Sequence, residues 1–410
     1  MTVSPQFGIE RTGGYMISLD DIRDAMGRVR PFVHKTPLIY SNSFSRLTGA
    51  EVYLKVESLQ KTGSFKVRGA VNKMLGMQEN KVIAASMGNH AQGVAFAAGK
   101  LGKDAVIVMP TTAPIVKQEA SKGYGAEVVL HGSSFDEALD YALSRSDRSF
   151  IHAFDDDEIM AGQGTVGIEI AEDMKGPDIL FIPVGGGGLI AGVSLALKSL
   201  SPGTRIIGVQ ARAAVSAYLS FTEGKISTSP PLSTLADGIA VGKVGEKTFE
   251  VIRRYVDEMV LVDEDSIAMA ILLFLERKKL VVEGAGAAPL SALLQDPLRY
   301  RGKKVVLVVS GGNIDFTLID RIIRKGLVKS GRIGVFEVTV EDVPGTLSSV
   351  TGIIAEHRGN IMGVSHDRLA VETPLGKTRV AFTVETRGSG HLDEIIADMT
   401  ARGFEVGKKG

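Results

Sequence analysis

Three short stretches hold residue types that could do chemistry together. The first is Ser64-Phe65-Lys66-Val67-Arg68-Gly69. A lysine between an aromatic and a β-branched residue is poorly placed for water. Its stem can pack while the ammonium reaches solvent, or the amine can be desolvated until it is nucleophilic and captures a carbonyl cofactor. The second stretch is Gly185, Gly186, Gly187 and Gly188, directly after an apolar run ending at Val184. Backbone N–H groups unobstructed by side chains at a helix N-terminus form a phosphate cradle. Two alternatives are a dinucleotide loop, although Ile190 stands where the third glycine of G-x-G-x-x-G belongs, and a helix start with no ligand. The third is Ser86-Met87-Gly88-Asn89-His90-Ala91-Gln92-Gly93. Asn89 can donate a hydrogen bond to a phenolate oxygen or simply cap a helix. His90 reads as structural, since no carboxylate at fixed spacing accompanies it, and the other histidines show no metal-ligand spacing.

The elements that must position these residues are legible as apolar runs. Val82–Ala85, Ala105–Val108, Ile179–Ile182, Ile206–Val209 and Val305–Val309 alternate with helical stretches. Continuous apolar strands separated by helices imply parallel sheet covered on both faces. Ligands then bind beyond the carboxyl ends of strands. Three such ends run into polar or glycine loops: Ser86 to His90, Gly185 to Gly188, and Ser310-Gly311-Gly312-Asn313. A helix is expected to open at Ser18, with Asp21 reaching back to close a capping box. Residues 1–15 read as a flexible tail. Beyond a linker over 326–332, Phe336, Val338 and Val340 alternate with polar residues, and Leu347, Val350, Ile353 and Ile354 share a helical face. Strands near Asn360 to Leu369, through Val380 to Val384 and at Phe404 to Val406, with a helix bearing Leu392, Ile395 and Met399, complete a βαββαβ order. That order is ferredoxin-like.

Composition excludes several classes. Of 410 residues 44% are hydrophobic and 23% charged, a globular balance. Lysine plus arginine equals aspartate plus glutamate at 47 each, which argues against nucleic acid as a partner. Cysteine is absent, so no disulfide, thiolate metal site or cysteine nucleophile exists. Ile179 to Leu197 carries no charge, but its four glycines would weaken a membrane helix. No apolar signal core opens the chain, and a cytoplasmic protein is expected.

Together, Glu57 to Ala70, Ser86 to Gly93, the tetraglycine loop, Glu283-Gly284-Ala285-Gly286-Ala287 and Ser310 to Asn313 resemble, in order and spacing, the threonine/serine dehydratases. The resemblance spans residues 16–325. It implies pyridoxal 5'-phosphate on an α/β fold of type II (tryptophan-synthase-β-like), with a smaller lobe over 52–153 inserted in the larger. The remainder, 333–410, resembles an ACT domain, an amino-acid-sensing module. The resemblance assigns Lys66 to holding the cofactor and moving the α-proton, and Phe65 to packing beside the ring. It assigns Asn89 to the ring oxygen, Gly185 to Gly188 to the phosphate, Ser310 to the pyridine nitrogen and Glu283 to the cofactor's surroundings. Ser64 would hold the substrate carboxylate or hydroxyl.

The implied reaction converts L-threonine to 2-oxobutanoate and ammonia, with L-serine giving pyruvate. A serine-preferring dehydratase and a non-catalytic amino-acid sensor are the rivals. Asp342, Gly345, Asn360 and Ile361 are candidate contacts for a branched-chain amino-acid effector, the last two reaching the pocket from a neighbouring module. A homodimer or homotetramer is expected. Two departures refine this. Serine racemases resembling the chain carry a serine base where Met87 stands, so racemisation is disfavoured. Metal-binding relatives have carboxylates where this chain has Gln210 and Ser216, beside Ala214. No divalent metal is therefore expected. The run Asp155-Asp156-Asp157-Glu158 reads as a solvated loop.

Overall fold

The computed structural model describes residues 17–367 and 373–409. The tail expected over 1–15 and the strand end expected near Leu369 lie outside the described residues. The chain divides after Ile314 into two compact units.

In the first unit the strands are, in chain order, β1 (Leu38–Tyr40), β2 (Glu51–Val56), β3 (Lys81–Ala85), β4 (Asp104–Met109), β5 (Glu127–Leu130), β6 (Ser149–Phe150), β7 (Ile179–Pro183), β8 (Arg205–Ala211), β9 (Glu258–Val262) and β10 (Lys304–Val309). They form two sheets, ordered β1-β2-β10-β7-β8-β9 and β5-β4-β3-β6. Every pairing is parallel except that of β1 with β2. Side-chain alternation explains the apolar runs. Val82, Ala84 and Ile107 enter one core, while Ile83, Val106 and Val108 enter another beneath the helix Phe135–Ser144. A strand buried on both faces has no polar face to show.

The smaller sheet spans only 81–150, because β2 pairs with β10 in the larger one. Of the lobe expected over 52–153, residues 52–56 therefore lie in the larger sheet, while the helix Lys66–Leu75 packs Val67, Val71 and Met74 into the core of the smaller one. Strand β2 is not visible as an apolar run, since Lys55 interrupts it. That lysine is fully buried. The helix expected at Ser18 runs over Leu19–Val29, with both bonds of the capping box formed.

The second unit contains β11 (Ile333–Glu341), β12 (Asn360–Asp367), β13 (Lys377–Glu385) and β14 (Glu405–Lys409), in the antiparallel order β12-β13-β11-β14. Helices Thr346–Glu356 and Ser389–Ala401 bury Ile354 and Ile395 against Phe336, Val338 and Phe382. The expected ferredoxin-like connectivity is present. The boundary differs, however: the second unit starts at Asp315, and a helix runs Phe316–Lys329 through half of the expected linker. One glycine inside a helix costs only about 1 kcal/mol, so Gly326 does not stop it. The helix ends at Ser330, followed by Gly331 at φ +67°.

Candidate functional site

Strand ends and helix starts converge as the parallel sheets require. Lys66 is the first residue of the helix Lys66–Leu75, and Asn89 opens Asn89–Leu101 after β3. Gly188 opens Gly188–Leu200 after β7, and Glu283 precedes Gly284–Gln295. The segment before Lys66 is stitched to the loop after β10. The Phe65 N–H donates to the Ser310 carbonyl at 3.1 Å, that of Gly312 to Gly63 at 2.9 Å, and Ser64 bridges Gly311. The N–H of Glu283 also donates to the Gly311 carbonyl at 3.1 Å.

The Lys66 Nζ donates to the Ala153 carbonyl at 2.8 Å and lies 5.3 Å from the Phe65 ring centre. Burial lowers its pKa to about 8, against an opposing pull from Glu283. Lys66 is half-buried with its amine turned onto a backbone carbonyl, and near neutral pH a minor fraction is an uncharged nucleophile. The Ser64 hydroxyl is fully buried and has no hydrogen-bond partner. An unpaired buried hydroxyl costs stability and is retained where a ligand completes it.

The glycine loop is shaped from outside. Its Gly186 carbonyl accepts from the Thr248 hydroxyl at 2.7 Å and the Gly245 N–H at 3.1 Å. This turns the carbonyl toward the helix Glu246–Tyr255. The first N–H groups of Gly188–Leu200 have no acceptor within their own helix. Gly187 sits at φ +99°, and a Cβ on Gly186 would come within 2.3 Å of the Phe154 ring. Only glycine leaves this cradle open.

Asn89 donates through Nδ2 to both Glu283 carboxyl oxygens, at 2.8 and 2.9 Å. Burial raises the Glu283 pKa to about 7, opposed mainly by that Asn89 bond. Ser310 closes β10 and is buried. His90 bonds the Ile151 carbonyl through Nε2 at 2.9 Å, and burial lowers its pKa to about 3. The ring is therefore neutral and held by that carbonyl.

Several contributors were not read from the sequence. Ala153 and Phe154 follow β6, and their position beyond a strand end is the one signal that could have found them. His152 accepts through Nδ1 from the Phe154 and Asp155 N–H groups, shaping that turn. The acidic run is not a solvated loop. Asp155 accepts from the N–H groups of Glu246, Lys247 and Thr248, capping the helix that holds the glycine loop. Asp156 caps Asp157–Asp173 and pairs with Lys73, and Asp157 pairs with Lys247. Gln210 accepts from the Tyr218 N–H, and the Ser216 hydroxyl donates to the Val241 carbonyl.

Behind Lys66 lies a buried cluster of four charges. Arg68 binds Glu57 and Glu169 with two hydrogen bonds each, and Lys55 donates to Glu169 at 2.5 Å and to the Thr36 carbonyl at 2.7 Å. It ties β2 to the helices Lys66–Leu75 and Asp157–Asp173.

The sequence profile described as "Pyridoxal-phosphate dependent enzyme" matches residues 29–311. The chain belongs to this family. Its members' cofactor fits what the site offers: an enclosed amine near neutral pKa, an unpaired buried hydroxyl and a loop a single methyl would fill. An L-threonine ammonia-lyase of Thermotoga maritima is 48% identical over 398 residues, covering 95% of this chain and 99% of the relative. A Geobacter sulfurreducens protein of the same name is 46% identical over 392 residues, 94% of this chain and 98% of its own length. Among solved structures, a threonine deaminase isoform from Solanum lycopersicum is similar with TM-score 0.73 and 39% identity, covering 77% of this chain and 90% of that one. Maize serine racemase is similar at TM-score 0.71 and 34% identity, over 77% and 99%. These structural coverages fit the pyridoxal-phosphate family's type II fold, with parallel sheets in the first unit.

In the second unit the four effector candidates do not form one group. Asp342 follows β11 at the end where Glu341 pairs with Lys377, and Gly345 stands at φ +98° before the helix Thr346–Glu356. Asn360 pairs with Glu385, which also pairs with Ile333, at the opposite end of the sheet. A pocket using both pairs needs two modules.

Proposed function

We propose that this chain is a threonine ammonia-lyase, converting L-threonine to 2-oxobutanoate and ammonia, with L-serine converted to pyruvate more slowly. The observation that carries the proposal is the enclosed Lys66 amine, its pKa brought to about 8 by burial, beside the unpaired Ser64 hydroxyl. The activity for which the two bacterial relatives are named narrows the substrate to threonine.

Bound pyridoxal phosphate supplies an electron sink for the pair left on the substrate's α-carbon. Lys66 would hold the cofactor through its amine and, when freed, would accept the α-proton. Phe65 packs beside the ring. The N–H groups of the Gly185 to Gly188 loop bind the phosphate at a helix N-terminus. Asn89 donates to the ring oxygen, with Glu283 behind it. Ser310 would face the pyridine nitrogen, where a hydroxyl would not hold a proton as a carboxylate would. Ser64 hydrogen-bonds the substrate carboxylate or hydroxyl, and Met87 offers no second proton-transfer group opposite Lys66.

The 333–410 module acts as an ACT-type sensor of a branched-chain amino acid, with isoleucine preferred. Asp342 and Gly345 of one copy meet Asn360 and Ile361 of another, which makes the enzyme a homodimer or homotetramer. It works in the cytoplasm.

Steady-state assay on threonine and serine tests the activity, and borohydride reduction followed by peptide mapping tests the lysine. Label on Lys66 and loss of turnover in Lys66→Ala are expected. Label on another lysine, or an active variant, refutes the assignment.

A further inference from the structure

We propose that Asn313 is a positioning residue, which fixes the Asn89 carboxamide with its NH2 toward the ring-oxygen position and its oxygen away from it. The inference rests on the reading of Asn89 given above and extends it to a residue outside that contact.

The polarity of the network carries the argument. Asn313 Nδ2 lies 2.7 Å from the Thr62 carbonyl oxygen and 2.8 Å from the Asn89 Oδ1, with Gln92 Oε1 more distant at 3.5 Å. A backbone carbonyl only accepts. The Asn313 atom facing Thr62 must therefore be its nitrogen, however amide oxygen and nitrogen are told apart. That nitrogen has two protons. One goes to Thr62 and the other meets Asn89, whose facing atom must then be its oxygen. The Asn89 nitrogen is left on the other side, against both oxygens of Glu283. Reversing the Asn89 amide would set NH2 against NH2 at Asn313 and oxygen against carboxyl at Glu283. The Asn313 contact would turn repulsive whatever the pH, and the Glu283 contact wherever its carboxyl is ionised.

Asn313 is itself held. The preceding Gly312 N–H bonds the Gly63 carbonyl at 2.9 Å. Gly63, at φ +71°, leaves the room: a Cβ there would stand 2.4 Å from the Asn313 side-chain oxygen. The direction in which Asn89 donates is thus set by the Thr62 carbonyl, in the loop leading to Lys66.

The test uses the full chain and two readouts other than turnover: pyridoxal phosphate affinity, titrated into apoprotein, and the pH titration of the bound cofactor's visible band. Asn89→Ala is expected to weaken affinity and move the band. Asn313→Ala should move both the same way, lowering affinity roughly tenfold to hundredfold, the range for a hydrogen bond to a charged group. In the Asn89→Ala background, Asn313→Ala should add nothing, because its effect passes through Asn89. Asn313→Asp, nearly isosteric and without the donor, should act more strongly than alanine and serves if the alanine variant does not fold. Equal effects of Asn313→Ala in both backgrounds would reduce it to loop scaffolding and overturn the proposal. So would an unchanged band and affinity in Asn313→Ala while Asn89→Ala alters them. A silent Asn89→Ala instead overturns the underlying reading of Asn89, and this inference with it.

Discussion

Replacing Arg68 by methionine should be among the most damaging substitutions outside the reacting groups. Lys55, Glu57, Arg68 and Glu169 are each at most 2% exposed, and their formal charges cancel. Arg68→Met removes four charge-assisted bonds to Glu57 and Glu169, and further ones to Thr165 and the His34 carbonyl. It leaves two buried carboxylates facing one ammonium. Breaking a buried pair from one side costs about 3–5 kcal/mol, a fifth or more of a typical domain's stability of roughly 5–15 kcal/mol.

The loss should depend on pH, with a definite sign. In the native protein, burial by itself would raise the Glu57 pKa, but Arg68 above all, then Lys55 and Thr36, hold it below the usual range. Its contribution is present above the unfolded pKa of about 4.3 and is lost as pH falls. Without Arg68 burial prevails, and the carboxyl is raised above its unfolded value. A raised carboxyl costs stability increasingly as pH rises past the unfolded pKa. Arg68→Met should therefore be least harmful near about pH 5 and most harmful near about pH 8. Urea unfolding followed by circular dichroism at both pH values measures this. Adding Glu57→Met restores the charge balance, leaving Lys55 with Glu169, and should recover part of the loss. A deficit under about 1 kcal/mol, or one equal at both pH values, would refute the electrostatic reasoning.

Other perturbations test other parts of the site. Because burial lowers the Lys66 pKa to about 8, capture of pyridoxal by the apoprotein should rise with pH to a midpoint near there; a midpoint above pH 10 would show an ordinary exposed lysine. In Gly186→Ala the new methyl meets the Phe154 ring at 2.3 Å, an overpacking that costs about 1–3 kcal/mol. Cofactor titration should show affinity falling by roughly tenfold or more, and unchanged affinity would separate the loop from the phosphate. With methionine at position 87, chiral chromatography of residual serine during turnover should find negligible D-serine, whereas D-serine forming as fast as pyruvate would require another base. Truncation after Ile314, where the second unit begins, should leave a lyase that no longer responds to isoleucine. In the full chain that response should be a coupling of roughly 1–3 kcal/mol, and no isoleucine effect on threonine saturation would remove the sensing role.

The amino-acid sequence by itself determined five of the parallel strands, β3, β4, β7, β8 and β10, and the loops at the carboxyl ends of three of them. Each is a local pattern: Val305 to Val309 must be buried on both faces, and four successive glycines serve neither a strand nor a helix interior. It also marked Lys66, since an amine framed by Phe65 and Val67 is unusual without knowledge of any distant residue. What surrounds that amine was decided by tertiary structure. Its hydrogen-bond acceptor is a backbone carbonyl, at Ala153, and every residue type carries one. Strand β2 was hidden because Lys55 breaks its apolar run, and the burial of that lysine makes sense only once Glu169 arrives from a distant helix. Asp155 looked like solvated charge until the start of the helix Glu246–Tyr255 was brought over it. The helix Phe316–Lys329 ran into its expected linker because one glycine costs a helix less than the rest of the segment gains. Burial of charge, capping across long separations and the direction of an amide depend on which groups meet in space. Local spacing shows that a group can react, while its desolvation and partners come from segments far away in the chain.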